Sequence, residues 1–245
     1  MGFFKKFRQR KRRIKIFLSR KNLINESVNF SKKSIFVAIP KTGTTSVRRQ
    51  LREFGSPIIR QPHLSIAQIK KIFYVYVLKN NLSKNRQFPS KSILEEKEVS
   101  ELADKLFYSF FKFAGVRNPF SRVVSLYNRR EGNQHKNKMN FKQFCYKINY
   151  SSDTCLHPTL HKNQLDWLMI GNKMVMDYIY KIENFSSAIN QIYERTEGRL
   201  KIKNIYSNVN PKSFSNNYHD YYDVETKNLI YKKFQKDFEH FEYSY

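Results

Sequence analysis

Two short, largely apolar runs organise the chain. Ser34-Ile35-Phe36-Val37-Ala38-Ile39 passes straight into Pro40-Lys41-Thr42-Gly43-Thr44-Thr45 and then into a helical stretch reaching about Phe54. Phe111-Lys112-Phe113-Ala114-Gly115-Val116 leads in the same way through Arg117-Asn118-Pro119 into a helix from about Phe120 to Arg130. Short, β-branched and aromatic runs of this kind belong to buried strands, so each predicts a strand, tight turn and helix. Pro119 suits a helix start, where its missing N–H costs nothing. Helical spacing marks Leu64 to Tyr76 and Ile93 to Phe107, joined by a polar loop with Asn80, Asn81, Asn85 and Pro89. Further on, Phe141 to Ile148, Leu160 to Met169, Phe185 to Glu194 and Val224 to Phe238 read as helices. Tyr178 to Ile182 reads as a strand and Leu200 to Ile205 as a weaker one. Strands alternating with helices predict an α/β fold of three layers, a central parallel sheet flanked by helices.

Composition sets the scale of this picture. With 245 residues, 40% of them hydrophobic, the chain can bury one substantial core but is short for two large domains. The formal charge of +26 attracts phosphate, sulfate, uronate, nucleic acid or an anionic membrane without choosing among them. Ten Lys/Arg and no acid fall in the first 21 residues, interleaved with Phe3, Phe4, Phe7, Ile14, Ile16, Phe17 and Leu18. Residues 1–30 are therefore read as a basic leader, either a solvated tail or a helix lying on an anionic bilayer, and residues 31–245 as the folded domain. No stretch of the sequence is long and apolar enough to span a membrane or resembles a secretory signal, so the expected compartment is the cytoplasm, with peripheral contact on the inner membrane face. Lys6 stands where a myristoylation signal needs Ser or Thr. The two cysteines, Cys145 and Cys155, make neither a disulfide scaffold nor a zinc motif.

Chemistry enters at the first turn. A buried strand that ends in a turn opening a helix presents backbone N–H groups and a positive dipole end to an anion. Lys41 adds a charge there, and Thr42, Thr44 and Thr45 add hydroxyl donors around Gly43, which admits a ligand closely. The order differs from the Walker A loop, since the lysine precedes the glycine and the first glycine is missing. A nucleotide kinase or NTPase would also need an aspartate for Mg²⁺ after a strand, whereas the second strand ends in Arg117. Nucleic-acid binding is not expected, because no zinc spacing or RNP-like segment accompanies the charge.

Ile39-Pro40-Lys41-Thr42-Gly43-Thr44-Thr45-Ser46 resembles the 5′-phosphosulfate-binding loop of sulfotransferases that use 3′-phosphoadenosine 5′-phosphosulfate (PAPS). Arg117-Asn118-Pro119-Phe120-Ser121-Arg122-Val123-Val124-Ser125-Leu126-Tyr127 resembles their 3′-phosphate-binding segment. The likeness to the carbohydrate branch, Golgi-type and bacterial, continues through Gln164-Leu165-Asp166-Trp167-Leu168, Asp177 to Phe185 and Tyr231 to Tyr245. Lys181 departs from that pattern, where Arg is expected, and so does Glu242, where glycine is expected.

The resemblance implies a P-loop-like domain and transfer of a sulfuryl group to a carbohydrate hydroxyl. It implies that Pro40, Lys41, Thr42, Gly43, Thr44 and Thr45 bind the 5′ end of the donor, that Arg117 and Ser125 grip the 3′-phosphate, and that no metal is required. Neutral hexose, amino sugar, uronate and lipid-linked glycans all fit as acceptors, and the basic charge, not the resemblance, favours an anionic one. Lys41 is the candidate for stabilising the departing oxygen and His63, before a helix, for the base; the ordinary reading of His63 is a polar residue at a helix start. His157 and His161 are weaker candidates, Lys212 and Ser213 loose ones for a nucleotide contact, and Arg129 and Arg130 could meet an acidic acceptor. Glu53 and Glu183 are expected to be structural, Trp167 a core wedge, and Tyr221 and Tyr222 the start of the last helix. The competing functions are a P-loop-type kinase or NTPase and a catalytically inactive module that binds anionic glycans.

Overall fold

The computed structural model describes residues 28–51, 63–87, 95–128, 139–150, 161–205 and 217–245. In chain order these contain β1 (Val28–Asn29), β2 (Ser34–Val37), α1 (Thr44–Leu51), α2 (Ile66–Gln87), α3 (Glu96–Tyr108), β3 (Phe111–Val116), α4 (Pro119–Tyr127) and α5 (Phe141–Asn149). There follow β4 (Met169–Ile170), β5 (Lys173–Met174), β6 (Tyr178–Lys181), α6 (Phe185–Arg195), α7 (Val224–Lys233) and α8 (Gln235–Phe241). The central sheet has the order β1-β2-β3-β6. β2, β3 and β6 run parallel, with Phe36 opposite Phe113 and Gly115 opposite Tyr180, while β1 pairs antiparallel at the edge. The α/β expectation is met by a sheet that is mostly parallel; its antiparallel edge begins within the segment read as leader.

Alternation along β2 and β3 feeds two cores. Ile35, Val37, Ala114 and Val116 pack with Ile69, Phe73 and Phe107 of α2 and α3. Phe36, Phe113 and Tyr180 pack with Val47 and Leu51 of α1 and Ala188 and Ile192 of α6. Both sheet faces are thus covered, which is why these strands read as continuous apolar runs. Burying Phe36 and Phe113, whose ring centroids lie 5.1 Å apart, contributes about 1.5–3 kcal/mol for each side chain. A third cluster contains no strand: Phe120, Val123, Phe144, Ile148, Ile230, Phe234 and Phe238 join α4, α5, α7 and α8. The Asn118 side chain accepts the Phe120 N–H at 3.0 Å, starting α4 with Pro119 in its first turn.

Four expected elements are corrected. α2 runs on through Asn80, Asn81 and Asn85 to Gln87, since Asn costs less than about 1 kcal/mol per residue relative to Ala inside a helix and does not itself end one; nearer its start α2 is tied to α3 by Lys70 and Asp104, 2.9 Å apart. Leu160 to Met169 is not a helix in its described part: a single 3₁₀ turn, Leu165–Trp167, leads into the β4–β5 hairpin. There Gly171 takes a φ of 59°, as a two-residue hairpin loop requires. Leu200 to Ile205 forms no strand, although Leu200 and Ile202 are buried; the Lys203 N–H and C=O instead meet the Gln50 side chain, at 2.7 and 3.0 Å. The last helix is two, broken at Phe234, whose φ of −113° and ψ of 26° leave the helical region.

The two departures at Lys181 and Glu242 meet. The Lys181 ammonium donates to the Glu242 carbonyl at 3.1 Å and lies 4.7 Å from the Tyr243 ring centre. Glu242 ends α8 in the left-handed conformation, φ 52° and ψ 50°, which strains a residue with a Cβ. Glu242→Gly is therefore expected to stabilise the protein by about 1 kcal/mol. Thermal unfolding should show a rise of about 2–4 °C; an unchanged or lower midpoint would contradict the strain. Among the described residues no helix is long and apolar enough to cross a membrane.

Candidate functional site

The carboxyl ends of β2 and β3 build the site. β2 cannot continue past Pro40, which has no N–H to donate. The chain then turns through Lys41 at φ 71° and Gly43 at φ 69° before α1 begins at Thr44. A Cβ on Gly43 would meet nothing within 4 Å, so glycine is needed there for its left-handed backbone, not to relieve crowding from the protein. Thr42 and Thr44 are buried, Thr45 and Lys41 half-buried.

Four successive carbonyls of this turn are each held by a side chain. His63 Nδ1 lies 2.6 Å from the Ala38 oxygen, and the Thr42 hydroxyl donates to Ile39 at 3.0 Å. Arg122 Nε donates to Pro40 at 3.2 Å, and an Arg117 terminal nitrogen reaches Lys41 at 3.5 Å. Because a carbonyl only accepts, the His63 contact puts the proton of the neutral ring on Nδ1 and the lone pair on Nε2, the form that suits a base.

The second strand end is fixed by its main chain. Gln164 accepts the Arg117 N–H at 2.9 Å and donates its own amide to the Arg117 carbonyl at 2.8 Å. Glu183 accepts the Asn118 N–H at 2.9 Å and the Tyr243 hydroxyl at 3.1 Å, a structural role matching the expectation for it. Arg117 then folds back along α4, Nε donating to Ser121 at 2.9 Å. Ser125 lies one turn beyond Ser121 on the same stripe and is half-buried. Burial lowers the Arg117 pKa against the pull of Glu183 and Tyr243.

Sequence reasoning missed the residues beneath. Arg122 is fully buried, its guanidinium 5.7 Å from the Phe234 ring centre and donating also to the Lys162 carbonyl at 3.3 Å. Burial lowers its pKa to about 10, opposed by Asp237, so it stays charged at neutral pH. Asp237, also buried, accepts the N–H groups of Gln164 at 2.8 Å and Leu165 at 3.0 Å. Burial raises its pKa, against Arg122 and these bonds. One signal was available for Arg122: it is in phase with Leu126, four residues on, on the buried side of α4.

The remaining candidates separate clearly. Trp167 is a core residue, as expected. His161 is half-buried just before the 3₁₀ turn. Tyr221 and Tyr222 do not start the last helix as expected: Tyr221 closes a 3₁₀ turn begun at Tyr218, Asp223 caps α7, and both tyrosines pack against the α4–α5 core. Cys145 is a buried thiol, pushed up to about 12 by burial. Glu53, Arg129, Arg130, Cys155, His157, Lys212 and Ser213 lie outside the described residues.

A family profile described as "Sulfotransferase family" matches residues 27–244. The chain belongs to this family. The match takes in the whole central sheet, both strand-end segments and the helices that carry Arg122 and Asp237. Membership assigns this sulfotransferase to the transferases that move a sulfuryl group. No curated protein and no solved structure matches the chain.

Proposed function

We propose that the protein transfers the sulfuryl group of PAPS to a carbohydrate hydroxyl by in-line displacement, and that its acceptor is an anionic or lipid-linked glycan. The observation that carries this reading is the meeting of the two strand ends: the Arg117 guanidinium touches the Lys41 carbonyl, so a cationic turn and a cationic corner lie side by side. That pairing suits a donor with a phosphate at each end of its ribose.

In the proposed reaction the turn from Pro40 to Thr45 holds the 5′ end of the donor, while Arg117, with Ser125, grips the 3′-phosphate. Nε2 of His63 takes the proton from the acceptor hydroxyl as its oxygen bonds to sulfur. The bond from sulfur to the phosphate oxygen breaks, and the Lys41 ammonium neutralises the negative charge that oxygen keeps in 3′,5′-ADP. The overall charge of +26 supports an anionic acceptor, and the ten cations of the leader support peripheral contact with an anionic membrane from the cytoplasmic side.

Calorimetry with 3′,5′-ADP, 5′-AMP and Mg·ATP tests the donor assignment. The 3′-phosphate is expected to tighten binding about 10- to 100-fold over 5′-AMP, without metal, and Arg117→Ala to erase that difference. Equal affinity for 5′-AMP, or a preference for Mg·ATP, would reject the donor and favour a kinase. Labelled PAPS offered to a panel of neutral and anionic glycans then tests the acceptor; faster sulfation of neutral glycans at every salt concentration would reject the anionic class.

A further inference from the structure

We infer that Arg122 is a positioning residue for the donor-binding turn: by holding the Pro40 carbonyl from inside the core, it turns the N–H groups of that turn outward to receive an anion. The inference rests on the proposed donor site and names a part of it that never touches the donor. A trans peptide points its C=O and N–H in opposite directions within one plane, and no peptide of the described residues is cis. Fixing the Pro40 oxygen therefore aims the Lys41 N–H the other way, and fixing the Lys41 oxygen aims the Thr42 N–H likewise.

Arg122 and Arg117 hold these two oxygens, while His63 and Thr42 hold the two before them. Of the four, the Pro40 and Lys41 oxygens set the Lys41 and Thr42 N–H groups, since the Ile39 N–H is bonded to the Val37 carbonyl and Pro40 has none; with Lys41 and Gly43 both left-handed, these two neighbouring donors suit an anion-binding nest. The outward side is open at Gly43, where an added Cβ meets no atom within 4 Å. Arg122 is suited to this task because its planar fork spans two carbonyls, those of Pro40 and Lys162. It approaches from α4, the helix that Arg117 precedes, so one element sets both phosphate-binding segments.

The test compares 5′-AMP, which needs the turn, with 3′-AMP, which needs the Arg117 corner, by calorimetry on the wild type, Arg122→Met and Arg122→Lys, alongside thermal unfolding. Arg122→Met should lower the affinity for 5′-AMP about 10- to 100-fold and leave that for 3′-AMP within about twofold. Arg122→Lys keeps the charge near Asp237 but not the fork, and decides the matter if the methionine variant does not fold. It should weaken 5′-AMP about tenfold at a near-wild-type unfolding midpoint. Unchanged 5′-AMP binding, or loss of both ligands in step with the midpoint, would overturn the positioning role. A wild type that binds neither nucleotide overturns the donor reading itself, and shows it before any variant is made.

Discussion

Lys41→Ala is expected to slow sulfuryl transfer by about 10²–10³-fold while 3′,5′-ADP binding weakens far less. The rate effect follows from position: an ammonium on the turn between β2 and α1 acts where charge gathers as the sulfur–oxygen bond breaks, and losing one such preorganised donor costs that much in kcat. Binding is less affected because the backbone N–H groups, the α1 terminus and Arg117 still hold the product. Alanine also has a Cβ, so the left-handed φ of 71° at this position imposes a similar strain on both proteins. Initial rates of 3′,5′-ADP release from PAPS, with the acceptor found in the glycan panel, give kcat, and calorimetry gives the affinity. An unchanged kcat would remove Lys41 from the chemistry and leave it as a binding residue only.

Asp237→Ala is expected to destabilise the fold by about 3–5 kcal/mol, the cost of leaving a buried cation without its counter-charge. The carboxylate accepts two main-chain N–H groups at 2.8 and 3.0 Å, and these also lose their partner. Burial lowers the Arg122 pKa and raises that of Asp237, so for both groups desolvation exceeds the attraction between them. Removing the second charge as well should therefore recover part of the loss: Arg122→Met, destabilising alone, should be stabilising in the Asp237→Ala background. Urea unfolding of the four proteins in this cycle gives the coupling directly. Additive losses would show that the two groups act independently.

What could be read in advance follows from which interactions are local. β3 matched its expected bounds because an apolar run buried on both faces needs no distant information. The turn at Lys41 and the proline at the start of α4 were legible for the same reason. By contrast, Leu200 to Lys203 alternates, with Leu200 and Ile202 buried, but alternation reports burial and not pairing, and the backbone there finds Gln50 instead of a strand. The break at Phe234 and the 3₁₀ turn at Leu165 depend on each other through Asp237, and no pattern within either segment records the other. Among the site residues, the sequence showed the charges that face outward. Gln164 and Asp237 entered only as members of segments that carry the resemblance; their functions exist only once residues 73 positions apart are brought together.

The supports of the donor corner have an order of arrival. Arg117 and Asn118 are held by Gln164, Glu183 and the Ser244 carbonyl, and Gln164 and Glu183 are in turn held by Asp237 and Tyr243. During synthesis, the lysine turn and the arginine strand leave the ribosome long before the segment that locks them together. The corner is completed only after residue 244 has emerged, so a nascent chain carries its apolar strands before the site is finished, an interval in which exposed apolar surface favours association.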